Sequence, residues 1–434
     1  MRLSFVLGLL AFVNLAAGFA TQWLVFFELG VGRQTDALFA SLALPQVLVT
    51  LAAGPLANVL VPRFAGVSAA EAARRASSTA LAVVVVSAPV ILVLYIAAPA
   101  WVRVLLPGFA GAALETAVSL TRIQVLSLFV STTYGVVWAS AIAERRFVAV
   151  EGALALVGVA AAAAVLPAVT YGGIEGVAWV FSARSAARVL AILPLSRVRP
   201  TLRLRGAGLQ QTFAQSFPLT LSGLYFKSES LLDQFLASLA PAGALSLFNL
   251  ALTLQTAAVG IVQKALVVPL GPRFGALVHE GRVPEFTDVV RRYRLLGVVI
   301  GVVGFVVALL VGRPVLNLLI GHGGVSEMNV AELYHYVLGL GGLVAGLVAG
   351  QVVAYGLYAL GATRLASTTS ALSFTVGVGL KLGGFHALGV LGLAIGTSGY
   401  VLLAVVMSSL AFRRALFTYE ELQTSPPRHG RLSS

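Results

Sequence analysis

The sequence has no cysteine, three methionines and five histidines, and only 10% of its 434 residues are charged. An ordinary soluble domain carries roughly 25% charged residues. The lack of cysteine excludes a disulfide scaffold. Lysine is almost absent as well: Lys227, Lys264 and Lys381 are the whole set, and none sits in a G-x-x-x-x-G-K-[ST] loop, so the chain is not itself an ATPase. The histidines are scattered and no H-E-x-x-H zinc motif occurs. No segment outside the apolar runs is long enough for a catalytic domain, so a transporter rather than an enzyme is expected, with no metal and no cofactor.

Apolar residues fill the space that these absences leave. The hydrophobic fraction is 59% and the mean hydropathy +0.95. A globule of this length needs a polar exterior that this composition cannot supply, so lipid must be the solvent. Disorder is excluded on the same ground. The net charge of +13 and pI of about 10.6 would suggest nucleic acid in a soluble protein. In a membrane chain the placement of the bases matters more than their sum, and no nucleic-acid partner is expected.

A helix needs ~20 apolar residues to cross the hydrocarbon core. Apolar runs predict about twelve such helices, near 3–29, 37–61, 79–102, 116–143, 147–168, 174–195, 217–239, 244–271, 295–320, 330–360, 365–385 and 389–411. The first run is too long for a signal-peptide core and reads as a retained span. Most bases fall on one side: Arg2, Arg63, Arg74, Arg75, Arg145, Arg146, the run Arg197, Arg199, Arg203 and Arg205, the group from Arg273 to Arg294, then Arg364, Arg413, Arg414, Arg428 and Arg431. The opposite side holds Arg33, Arg103, Arg122 and Arg313, with Lys381 as a further candidate. By the positive-inside rule both termini are cytoplasmic.

The basic stretch 196–216 divides six spans from six. The expected organisation is a lobe over 1–195, a cytoplasmic linker over 196–216, a second lobe over 217–412 and a tail over 413–434. The halves share weak matches in the same order. Val61-Pro62-Arg63-Phe64 is matched by Val268-Pro269 and Pro272-Arg273-Phe274. Tyr134-Gly135 and Glu144-Arg145-Arg146 are matched by Tyr355-Gly356 and Ala362-Thr363-Arg364. Gly173-Ile174-Glu175-Gly176 is matched by Gly389-Val390-Leu391-Gly392. An even-numbered unit repeats in one orientation, about an axis along the membrane normal. The expected fold is therefore all-α and polytopic, two six-helix lobes around a central cavity.

A charge in mid-span costs about 2.5–3.5 kcal/mol on the insertion scale, so such groups face a cavity or a partner. The seventh span holds Lys227, Glu229 and Asp233, with the two acids four residues apart on one face and the lysine on the other side. Structural pairing and an ion or phosphate site both fit this pattern. Lys264 lies toward the inner end of span eight, and Arg184 and Arg188 share one face of span six. Bases in these places suit a phosphate shedding its water, and snorkelling to the interface is the alternative, above all for Arg188. Arg33 and Asp36, at the outer end of the first hairpin, read as a loop cap or gate. Glu332 and His335 fit a surface pair or a gate.

The stretch 30–64, GVGRQTDALFASLALPQVLVTLAAGPLANVLVPRF, resembles the opening signature of the MurJ/MviN lipid II flippases, within the MATE-like exporter superfamily. Gly30-x-Gly32-x-x-Thr35-Asp36-Ala37, Leu44-Pro45 and Val61-Pro62 carry the likeness. Ala98–Phe109 and Leu232–Ser238 fit later family segments. The resemblance implies export of a polyprenyl-pyrophosphate-linked sugar precursor across the cytoplasmic (inner) membrane, with membrane lipids and cell-envelope synthesis enzymes as further partners. The positions matching the family's pyrophosphate-meeting arginines are Leu15, Thr21 and Leu250. The resemblance also implies a sodium site near Asp233 in some members, with a carboxylate where Lys381 stands here and with Thr397 retained. Lys381 is then expected to pair with Asp233 in place of the cation, and Lys227, Lys264 and Arg184 to bind the cargo.

Three readings remain open from the sequence: a flippase working by alternating access, a MATE-type cation-coupled drug antiporter, and a non-transporting membrane scaffold.

Overall fold

The computed structural model describes residues 2–199, 201 and 209–424. Part of the expected linker, with Arg203 and Arg205, and the tail beyond 424, with Arg428 and Arg431, lie outside the described residues. Among the described residues there are helices and turns but no strand.

The chain forms two compact units by contact, Met1–Leu250 with Pro314–Leu333, and Ala251–Arg313 with Tyr334–Ser434. The first unit contains α1 (Arg2–Leu29), α2 (Arg33–Ala65), α3 (Ala69–Ile96), the short α4 (Ala98–Leu105), α5 (Ala112–Ser131), α6 (Tyr134–Ala143), α7 (Phe147–Ile192), α8 (Leu209–Ser238) and the start of α9 (Ala244–Val262). The second holds the rest of α9, a π-turn (Gln263–Val267), α10 (Leu270–His279), most of α11 (Val283–Ile320), the end of α12 (Glu327–Gly339), α13 (Gly342–Ala359) and α14 (Thr363–Thr424).

The contact boundary at Leu250 falls later than the basic stretch 196–216 because α8 packs on α2. A Cβ on Gly223 would lie 3.0 Å from Leu51, and the Thr220 hydroxyl donates to the Leu51 carbonyl at 3.5 Å. The described start of that stretch is also fastened to the first unit. Arg197 N–H donates to Ser140 Oγ (2.9 Å), Arg199 N–H to Ser77 Oγ (2.8 Å), and Arg197 Nε meets Glu144 at 2.7 Å.

Among the described residues, eight helical segments are long and apolar enough to cross a membrane, against about twelve spans expected. Two of the eight are double-length. α7 has 46 residues and α14 has 62, each enough for two crossings of ~20 residues. α7 breaks at Gly173 (φ 53°, ψ −139°) and α14 at Leu388–Gly389, with Gly389 at φ 61°, ψ −139°. These are the breaks expected between spans at 168–174 and 385–389, and a side chain would be strained at either glycine. α2 and α8 are long helices outside the eight.

Lipid-facing character is plain on α11, where Leu295, Val299, Val302, Val303, Val306 and Leu310 are all exposed. No water-soluble helix presents such a face.

The internal matches coincide with repeated local structure. Phe64 and Phe274, each following a Pro-Arg, are both buried in the core of their own unit. α6 ends with Arg145 in the left-handed region (φ 61°), and the N–H groups of Arg145 and Arg146 reach the Ile142 and Ala141 carbonyls at 2.8 and 3.3 Å. α13 ends the same way at Gly361 (φ 73°), with Gly361 and Ala362 on Tyr358 and Leu357 at 3.0 and 2.9 Å. This is the Schellman arrangement that satisfies the last carbonyls of a helix.

Candidate functional site

A polar cavity of about 400 Å³ lies within the first unit, walled by α1, α2, α5, the second half of α7, and α8. The Gly173 break sets the second half of α7 as a helix of its own. Its residues Phe181, Arg184, Ser185 and Arg188 recur at three- and four-residue spacing and so line one face. Gln22, Gln46, Thr50, Gln124, Ser127, Ser230 and Gln234 complete the polar wall.

Local hydrogen bonds fix several of these groups. Gln124 Nε2 donates to the Ala178 carbonyl at 2.9 Å, tying α5 to α7. Ser182 Oγ donates to the Ile123 carbonyl at 2.9 Å across the same seam. Gln234 Nε2 donates to Asn249 Oδ1 at 2.9 Å.

The Arg184 guanidinium is seated by glycine. A Cβ on Gly18 would lie 3.4 Å from its Nη2, and one on Gly158 would lie 3.7 Å from Nη2 and 3.0 Å from Asn14 Oδ1. Arg184 Nε, Arg188 Nε, Asn14 Oδ1 and Gln22 Oε1 are buried without a hydrogen-bond partner. Neither arginine has an ion pair among the described residues. Arginine does not give up its proton. Two desolvated cations four residues apart, with no acid between them, cost several kcal/mol unless an anion enters. The planar forks suit an anion that presents several oxygens, such as a phosphate.

The other expected site residues lie elsewhere. Lys227 is exposed on α8, one turn before Ser230, and Glu229 is half-buried. Asp233 is buried beside the cavity-lining Gln234. Lys264 is exposed within the π-turn of the second unit and is not one of the residues that line the cavity. Lys381 is buried in the second unit. A Cβ on Gly396 would touch the Lys381 Cα at 3.0 Å, so the stretch leading into Thr397 packs on the Lys381 backbone. The Thr397 hydroxyl donates within its own helix to Leu393 at 2.8 Å. His335 is exposed. Among the described residues there is no cluster of three His, Cys, Asp or Glu that could hold a metal.

One reading is corrected. Arg188 does not snorkel: it lines the same cavity as Arg184, with Nε buried. Arg33 and Asp36, read as a loop cap or gate, have separate partners. The Arg33 guanidinium lies 5.5 Å over the Phe109 ring. The fully buried Asp36 carboxylate accepts the N–H groups of Gly243 (2.7 Å) and Ser246 (2.8 Å) at the start of α9. It caps that helix, where a negative charge also meets the positive end of the dipole. Sequence reasoning missed Asn14, Gln22, Gln46 and Gln124. Their signal is an isolated amide within an apolar run, which a cavity wall requires and a lipid face does not.

A family model described as lipid II flippase MurJ matches residues 27–425. No curated protein matches the chain. Among solved structures, lipid II flippase MurJ in an inward closed conformation matches with TM-score 0.79 and 13% identity, covering 98% of this chain and 94% of that one. An inward-facing multidrug resistance MATE family transporter of the MOP superfamily matches with TM-score 0.77 and 16% identity, over 95% and 96%. A MOP superfamily transporter from Pyrococcus furiosus, noted for the reverse polarity of its binding pocket, matches with TM-score 0.59 and 16% identity, over 98% and 96%. At these identities the structural likeness establishes the fold.

Proposed function

The chain belongs to the lipid II flippase MurJ family of membrane transporters, and from that premise we propose that it flips a polyprenyl-pyrophosphate-linked sugar precursor across the cytoplasmic membrane by alternating access. The observation that carries the cargo class is the pair Arg184 and Arg188, half-buried in the wall of a polar cavity with both Nε atoms buried and without a carboxylate among the described residues. A pyrophosphate supplies the missing charge and enough oxygens for both guanidinium forks. The surrounding amides and hydroxyls suit hydroxyl-rich sugar. The same positive charge opposes an organic cation, which weighs against the drug antiporter. Both termini in the cytoplasm and contact with envelope-synthesis enzymes belong to this proposal.

The test is binding of a polyprenyl pyrophosphate to purified protein, followed by flipping in vesicles. A charge-assisted hydrogen bond contributes about 1.5–3 kcal/mol, so Arg184→Gln or Arg188→Gln should each weaken binding about tenfold or more, and the pair about 100-fold. Each variant should also melt higher than the parent, because it removes a like-charge neighbour from a partly desolvated site. Parental affinity in the double variant would refute the assignment.

A further inference from the structure

A second amphiphilic site runs along the outside of α2, α3 and α8, separate from the arginine cavity. At one end a pocket of about 200 Å³ is walled by Arg63, Arg75, Thr79, Gln211 and Thr212. An adjoining groove of about 730 Å³ is lined by the next turns of the same helices. On α3 the wall passes from Arg75 and Thr79 to Val83, Val86 and Val90. On α2, running the other way, it passes from Arg63 to Leu56, Leu51 and Leu48. On α8 it passes from Gln211 and Thr212 to Phe213 and Phe217, with Gln210, Ser216 and Thr220 also in the groove wall. The walls on α2 and α3 thus change from basic to mostly apolar along the site, and α8 adds two aromatic rings among its polar groups.

That is the profile of a lipid: a phosphate at one end and hydrocarbon beyond it. From Val83 to Leu94 the apolar wall of α3 rises about 16 Å at ~1.5 Å per residue, close to half of a ~30 Å hydrocarbon core. The basic end lies on the side the positive-inside rule assigns to the cytoplasm, so the groove spans the inner leaflet.

The chemistry of the basic end selects the headgroup. Arg63 Nη1 donates to Thr212 Oγ1 at 2.5 Å, and Arg75 Nε donates to Glu71 Oε1 at 2.8 Å. Glu71 Oε2 is taken by Arg74. Glu71 is thus turned to the arginines and does not line the pocket, whose wall holds two bases and no acid to receive a choline or ethanolamine ammonium. Unlike those of Arg184 and Arg188, these guanidiniums already have side-chain partners, so a single phosphate fits their damped charge. The pocket has room for a phosphate and not for a glycan. We propose that this groove binds a phosphodiester lipid of net negative charge from the inner leaflet, at a site distinct from the cargo cavity and independent of the cargo's identity.

The experiment is native mass spectrometry of the delipidated full-length protein titrated with dioleoylphosphatidylglycerol or dioleoylphosphatidylcholine. The parent should take up the first at least tenfold more readily. Arg63→Gln with Arg75→Gln should abolish that preference while binding of polyprenyl pyrophosphate stays at the parental level. Val86→Trp, which fills the groove at an exposed position, should reduce uptake of phosphatidylglycerol with the basic end intact, and it keeps the test available if the double variant folds poorly. Equal uptake of the two lipids by the parent, an unchanged preference in both variants, or loss of pyrophosphate binding in the arginine double variant would each overturn the proposal.

Discussion

α7 and α14 are two versions of one design. Each is a double-length helix interrupted by a glycine with nearly the same left-handed backbone, Gly173 and Gly389. Counting from those glycines aligns the two starts, Phe147 with Thr363, and pairs Arg184 with Tyr400, Arg188 with Ala404, Gly158 with Phe374 and Val165 with Lys381. In α7 the small Gly158 leaves room for the Arg184 guanidinium. In α14 the paired position is filled: the Phe374 and Tyr400 rings meet edge-on with centroids 6.3 Å apart, and Tyr400 presses on Gly377. One framework therefore yields a polar, cationic wall in the first unit and an aromatic contact in the second. The buried charge of α14 sits elsewhere, at Lys381, where α7 has the equally buried Val165. The backbone repeat sets where side chains project, and the choice of a few residues decides which half carries the paired arginines.

The comparison can be pressed hardest at Lys381. The sequence-based pairing of Lys381 with Asp233 expects Asp233→Asn alone to cost about 3 kcal/mol or more, by stranding a buried cation. Adding Lys381→Val, the residue α7 carries, should recover most of that loss. Thermal melting of the two single variants and the double variant measures the coupling, and additive losses would refute the pair. Flipping should also be indifferent to exchange of sodium for potassium.

Giving α7 the aromatic of α14 comes next. Gly158→Phe should displace the Arg184 guanidinium and lower polyprenyl-pyrophosphate affinity about 100-fold, near 2.7 kcal/mol, while circular dichroism keeps its helical signal. Retained affinity would mean that Arg184 does not need the space Gly158 leaves.

A smaller effect is expected where the first unit is clasped by Asp36. Asp36→Ala leaves two backbone N–H groups at the start of α9 without their carboxylate, a loss of about 2 kcal/mol. A melting temperature within a degree of the parent would contradict the cap.

The smallest concerns the matched helix ends Arg145 and Gly361. Arg145 occupies a left-handed conformation that glycine adopts freely, so Arg145→Gly should stabilise the protein by about 1 kcal/mol. Gly361→Arg should cost a similar amount. Opposite signs in denaturation midpoints check the equivalence of the two ends.

Much of this molecule was legible before any coordinates. Composition demanded a lipid solvent. The apolar runs located the helices, and the Gly173 and Gly389 matches marked both breaks, because a span needs a fixed length and glycine alone tolerates that backbone cheaply. The signature at 30–64 pointed to the family. What the sequence could not rank was its charges. Lys227, Lys264, Arg184 and Arg188 all stand in apolar runs, yet only the two arginines line the polar cavity of the first unit. Arg188 looked like a snorkelling base, and Asp36 like a loop cap or gate whose partners at the start of α9, about 210 residues on, nothing in the sequence named. Periodicity tells which residues share a face of one helix, but not what packs against that face. A buried charge takes its meaning from neighbours hundreds of residues away, and tertiary packing alone brings Gly18, Gly158, Asn14 and Gln124 around an arginine pair that the sequence presents as two isolated bases.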